Sequence, residues 1–210
     1  MTLCDKKEAL IREEWENFHA VNNEGGKADC QNDPETFAIM RRAQFTAWSE
    51  ELVESWHKDL LDAKKEGRNL LSEKYAWMMR QTAPYEFRLI SKHLRFPSIL
   101  AEEMMEEIIE TEVSWMEEYE KQYPFMASGN RPVRSKMDTT YETSFETYLR
   151  GELHTYSEHT LKLYLDMVRN LKQEGKSLSL IVMDAMVKAY GYKDIDDAER
   201  QQKIRAISHI

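Results

Sequence analysis

The sequence predicts an all-α fold, an antiparallel helical bundle with elaborations made of about seven to eight helices. Three observations carry this expectation. Glu, Lys, Leu, Ala and Met are plentiful and strand formers sparse, which is helical composition. Only seven glycines and five prolines interrupt the 210 residues. Apolar residues recur at three- and four-residue spacing along most of the chain. The length fits one domain spanning residues 1–210, long enough to bury a real core, with 194–210 set apart as a C-terminal appendage.

The first helix is expected from Asp5 to Val21, with Leu10, Ile11, Trp15 and Phe18 as its apolar stripe, ending at "NNEGG", where Asn23, Gly25 and Gly26 favour a cap and turn. "DPETF" is a start signal, with Asp33 as N-cap and Pro34 in the first turn. The second helix then runs to about Lys65 before Gly67, burying Phe37, Phe45, Trp48, Leu52, Trp56 and Leu60. A third covers about 69–81 and stops near Ala83-Pro84. A short fourth spans 85–94, and a long acidic fifth runs from Ser98 to Gln122. Residues 123–140 form one long connection, of a length usually reserved for functional or mobile segments. A sixth helix, interrupted or bent near Gly151, extends to about Gly175; a seventh spans 177–190, and a last charged helix begins near Asp194.

Charge and targeting signals narrow the function classes. Asp and Glu number 38 against 29 Lys and Arg, a net charge of −9 that repels nucleic-acid phosphates. The N-terminal residues lack the apolar core of a secretory signal, and no apolar run approaches the ~18 residues needed to cross a bilayer, so a cytoplasmic protein without a membrane partner is expected. Cys4 and Cys30 are too few for a disulfide framework and lack metal-type spacing. A carboxylate-bridged di-metal centre needs two Glu-x-x-His helices and two further inward carboxylates; Glu54 to His57 has that spacing but lies among Glu50, Glu51 and Lys58 on a solvated face, so no metal site is assigned. The Arg88 to His93 spacing in "RLISKH" matches a helical-ribonuclease motif too short to carry weight, and no motif identifies a cofactor.

The informative residues are polar ones placed where a core residue belongs. Lys74 has Leu70, Leu71, Trp77 and Met78 at helical-neighbour spacing. Glu14 lies among Leu10, Ile11 and Phe18, and Glu112 among Ile108, Ile109, Trp115 and Met116. Arg41 and Gln44 interrupt the line from Phe37 to Trp48. A buried charge costs several kcal/mol unless paired, so these side chains are expected to meet one another, either around a polar pocket or in a structural ion-pair network. Arg150 and Glu152 flank Gly151, whose place inside a helix calls for a bend or a close backbone approach. Cys30 precedes a helix start, where a thiol can be activated, and a structural thiol is the plain alternative.

The motifs "EEWENF", "VNNEGG", "CQ", "RRAQF", "GRNLLSEKYAWMM" and "TSFETYLRGEL", in that order, resemble a bacterial family of proteins of unknown function, DUF4125, over roughly Ile11 to Tyr192. The resemblance brings no established activity. Its matching positions include Glu14, Trp15, Asn23, Gly25, Gly26, Cys30, Gln31, Arg41, Gln44, Lys74, Tyr75, Glu146, Arg150 and Glu152. It thereby adds Tyr75 to the ligand-binding candidates.

The functional expectation is a polar pocket between helices that binds, and perhaps transforms, a small anionic or zwitterionic molecule. Arg41 and Arg150 would clamp the anionic group, with Gln44, Tyr75, Glu152 and Cys30 beside it; Lys74 would act as base or electrostatic stabiliser, and Glu14 or Glu112 would tune it. The rival expectation is a non-enzymatic interaction or regulatory module, with a protein partner or a homo-oligomer, whose internal charges only fix the packing. A cavity lined by these side chains favours the first; a dry, fully paired network favours the second.

Overall fold

In a computed structural model, which describes residues 1–22, 26–139 and 142–208, every regular element among the described residues is a helix. Eleven α-helices are present there, against the seven to eight expected. Most begin where a short polar side chain can take up a free backbone N–H of the first turn. Thr2 caps α1 (Leu3–His19) in a reciprocal box with Asp5. Asp33 caps α2 (Pro34–Gln44), whose first residue is the anticipated proline.

The single second helix of the sequence reading is in fact two. A 3-10 turn over Phe45–Ala47 follows α2, Trp48 is extended, and Ser49 accepts from Leu52 N at 3.2 Å to start α3 (Glu50–Lys65). The stop signal is "SEE", an N-cap followed by an acidic first turn, which the apolar period runs across without a break. The break places Phe45 and Trp48 in the core together with Trp56.

Asn69 caps α4 (Leu70–Thr82), which leads through Ala83 into α5 (Pro84–Ile90) and a 3-10 turn at Ser91–His93. Ser98 caps the long α6 (Ile99–Gln122). The 123–140 connection carries a helical turn, α7 (Pro124–Ala127), and a 3-10 turn at Ser135–Met137. Then follow α8 (Phe145–Leu153), α9 (Glu158–Gln173), α10 (Leu178–Ala189) and α11 (Ile195–Ser208). One buried apolar cluster draws on residues from Leu10 to Ala198. No helix among the described residues is long and apolar enough to cross a membrane. Asn23 and Gly25, assigned to the turn after the first helix, lie outside the described residues; Gly26 is present with φ of 87°.

The interruption expected near Gly151 is present, displaced along the chain. The interruption falls three to six residues later, where Ser157 caps α9, and Gly151 sits inside a regular α8. Its reason is proximity. A Cβ built there would stand 2.6 Å from Met78 Cγ and 2.9 Å from the Lys74 carbonyl oxygen, so α8 lies with its backbone against α4. Gly151→Ala is therefore expected to destabilise the fold by about 1 to 2 kcal/mol in urea titration, since overpacking against a fixed backbone oxygen outweighs the helix-propensity gain of roughly 1 kcal/mol. A more stable variant would mean that α4 and α8 separate freely.

Candidate functional site

The α4–α8 contact brings two charged side chains together. Lys74, one turn into α4, donates from Nζ to Glu152 Oε2 at 2.6 Å. Glu152 Oε1 accepts from Gln44 Nε2 and from the Tyr156 hydroxyl, each at 3.1 Å, and from both terminal nitrogens of Arg41 at 3.4 Å. Arg41 and Gln44 lie three residues apart on α2 and face the same way, so Arg41 Nη1 also donates to Gln44 Oε1. On its other side Arg41 forms a bidentate pair with Glu14 of α1, Nε to Oε2 at 2.6 Å and Nη2 to Oε1. Trp56 Nε1, from α3, donates to Glu14 Oε1 at 2.7 Å.

Five helices thus enclose two carboxylates and two cations, a neutral set. Glu14 is 1 % exposed and the Arg41 and Glu152 side chains 13 % and 12 %. Burial alone would weaken the Arg41 charge, but the Glu14 and Glu152 carboxylates more than reverse this and raise its pKa. Burial likewise opposes ionisation of Glu152, and Lys74 followed by Arg41 overcomes it, holding this carboxyl below the usual range. The Tyr156 hydroxyl is driven up by burial and then by the adjacent Glu152 charge, which keeps it a donor.

Glu112 does not join this set. It projects from α6 toward Tyr164 of α9, whose hydroxyl hydrogen-bonds to it, and it is 5 % exposed. Burial pushes its pKa up to about 8, the Tyr164 hydroxyl opposing and the Glu152 charge reinforcing the shift. Its Oε1 and the Trp48 indole nitrogen are buried without a hydrogen-bond partner among the described residues. A carboxyl so placed is neutral at pH 7, where the paired Glu152 is ionised.

Arg150 also points elsewhere. Residues two apart on a helix diverge, so Arg150 and Glu152 leave α8 on different sides. Arg150 holds Glu106 of α6, with Nη2 to Oε2 at 3.0 Å, and lies 3.7 Å from Glu146. It lines an open groove of about 760 Å³ between α4, α6 and α8, floored by Met78 and Met105 and bordered by His154. A second cavity of about 410 Å³ lies beside Asp59, Arg68 and Tyr156. None of Glu14, Arg41, Gln44, Lys74, Glu112 and Glu152 lines either one.

Tyr75 follows Lys74 on α4 and is half-buried; burial first, and then Tyr148, raise its hydroxyl pKa. Cys30 is an exposed free thiol in a 3-10 turn (Asp29–Asn32), while its neighbour Gln31 is buried and ties that turn to α1 by donating to the Phe18 and Val21 carbonyls at 2.9 Å. Glu54 is paired with Lys6 at the surface. Among the described residues no group of three or more His, Cys, Asp or Glu side chains is placed to hold a metal ion.

Sequence reasoning missed the partners that close the network. Trp56 enters the sequence reading only as an apolar core residue and Tyr156 does not enter it as a donor, although an indole N–H and a phenol O–H that become buried need acceptors, and that need was the available signal. Tyr148 and Arg131 were missed as well. The Arg131 guanidinium stacks 3.8 Å from the centroid of the Tyr148 ring, and Lys74 Nζ lies 5.6 Å from the same centroid.

No curated protein and no solved structure matches this chain. A family profile described as protein of unknown function, DUF4125, matches residues 7–200, and on that coverage the chain belongs to the DUF4125 family.

Proposed function

We propose that this chain is a helical interaction module whose inward charges fix the packing of α1, α2, α4 and α8. The observation that carries the reading is the closure of the network: every carboxylate oxygen of Glu14 and Glu152 already accepts from a donor of the same chain. A ligand entering there would have to displace a desolvated ion pair before gaining any contact of its own. Buried polar sets of this kind serve to select one packing arrangement over its alternatives. The same reading treats residues 1–210 as one domain, since α11 contributes Ile195 and Ala198 to the common core.

One observation favours a second reading, a small anionic or zwitterionic ligand at the outer edge of the network. The Lys74 side chain keeps 18 % of its surface exposed, and with Arg131 it brings a second positive charge to the Tyr148 ring. There Lys74 would stabilise negative charge, with Tyr75 and Tyr148 forming the wall.

Thermal unfolding of the wild type and Lys74→Met against a broad metabolite panel separates the two. The module reading expects no stabilisation that depends on Lys74. A compound that raises the wild-type Tm by several degrees and leaves a folded Lys74→Met unchanged would overturn it in favour of the anion site.

A further inference from the structure

The surface around α5 carries an unusual combination of side chains for an acidic protein. Tyr85, Leu89, Phe96, Ile99 and Leu100 are all exposed, Ile99 to 78 %, within sixteen residues of chain. α5 itself packs chiefly on α4 through the buried Phe87, leaving its other face uncovered. Tyr85, Arg88, Leu89 and Lys92 follow one another at helical spacing, so they share that outer face. Residues 84–95 hold Arg88, Lys92 and Arg95 against Glu86 alone, in a chain of net charge −9; Arg95 pairs with Glu66 at 2.8 Å, which leaves Arg88 and Lys92 as the ridge's outward charges. An apolar-basic ridge therefore stands out from an acidic body.

Its complement lies next to it on the same molecule. The 760 Å³ groove has an apolar floor of Trp77, Met78 and Met105, and its border holds four carboxylates against two guanidinium groups. Arg150 holds Glu106 and Glu146, which leaves Glu102 and Glu103 as the exposed rim at the start of α6. Ile99 belongs to both surfaces. Ridge and groove are alike in apolar character and opposite in charge; Phe96 packs edge-on against Trp77 where they meet, with ring centroids 5.1 Å apart, and Tyr85 and Leu89 stay exposed.

We propose that a second copy of this chain covers both surfaces in a two-fold dimer, each α5 ridge entering the other copy's groove with Tyr85 and Leu89 over the methionine floor and Arg88 against the Glu103 rim. Two-fold symmetry makes the contact reciprocal, so one pair of patches is used twice and no ridge is left over. The apolar centre supplies affinity and the charged border selects the partner. This rests on the interaction-module reading and gives that module its partner.

Sedimentation equilibrium of the full chain across about 1 to 100 μM tests it. Wild type is expected to dimerise in that range, more weakly as salt is added. Leu89→Glu, at an exposed position, is expected to weaken the dimer by at least about 30-fold, with unfolding curves unchanged. Arg88→Glu and Glu103→Arg are each expected to stay monomeric alone and to pair when mixed, because every reversed charge then faces its opposite. Three results overturn the proposal: a wild type monomeric throughout, a dimer indifferent to these substitutions, or a monomer whose binding to phosphatidylserine vesicles is lost with Leu89→Glu, which assigns the ridge to a membrane surface. The module reading is judged separately, by the metabolite panel, so a failed dimer does not decide it.

Discussion

Arg41→Met is expected to destabilise the protein by about 3 to 5 kcal/mol, the usual cost of removing one partner from a buried ion pair. Among the described residues Arg41 alone hydrogen-bonds to both Glu14 and Glu152. Methionine preserves much of the stem and none of the donors, so Glu14 would be left with the Trp56 N–H and Glu152 with Lys74, Gln44 and Tyr156. The loss is therefore concentrated on Glu14, which is the more buried of the two. Adding Glu14→Gln to Arg41→Met removes the orphaned charge and is expected to recover a large part of the stability. Urea unfolding of the two single variants and the double variant gives the coupling as a mutant cycle. A change below about 1 kcal/mol in Arg41→Met would show that water or rearrangement satisfies Glu14, and would count against a network that fixes the packing.

The second large effect is a dependence on pH. Glu112 has a pKa raised to about 8 from an ordinary 4.5. Between these values the unfolded chain has released the proton and the folded chain retains it, so the folded state binds more protons and stability falls as pH rises. The contribution is complete below 4.5 and lost as pH passes through 8. Its slope approaches 1.4 kcal/mol per pH unit, or about 2 kcal/mol between pH 5 and pH 7 after allowance for relaxation.

Two other groups bear on the measurement. Glu152, with its pKa lowered, contributes stability that disappears only as pH falls below the ordinary carboxylate value, outside that window. His154 has its pKa lowered by burial and contributes a slope of opposite sign near its ordinary 6.5. The quantity to follow is therefore the difference between wild type and Glu112→Gln, in which the His154 contribution cancels. Glutamine imitates the protonated acid and can still accept from the Tyr164 hydroxyl. The variant is expected to gain on the wild type steadily from pH 5 to pH 8; parallel curves would mean that Glu112 ionises in the fold at its ordinary pKa.

The helical class and most helix starts were legible in the residues, because both are local; the starts of α3, α7 and α9 were not. Asp33-Pro34, Asn69 and Ser98 act through backbone groups two or three positions away, and the core period is a property of one segment. Reading failed where two signals competed. The apolar period continues across Trp48-Ser49, so one long helix was expected where the Ser49 cap makes two. At Gly151 the sequence leaves a bend and a close backbone approach open, and the packing of α8 on α4 selects the second.

The candidate site divides in the same way. Glu14, Arg41, Gln44 and Lys74 were identifiable one by one because each is a polar residue on an apolar face, and Glu152 because it flanks Gly151; the cost of burial required that the inward charges be paired. That requirement is local chemistry and follows from the amino-acid order alone. Which of them pair, and that Glu112 turns to Tyr164 and Arg150 to Glu106, depends on distances between helices far apart in the chain, which helical spacing does not contain. The choice between an open pocket and a closed network had the same origin. The closed network behind the proposed module rests on the close approach of α4 and α8, which the missing Cβ at Gly151 permits, and on the indole and phenol donors of Trp56 and Tyr156 that only the folded chain brings to the two carboxylates.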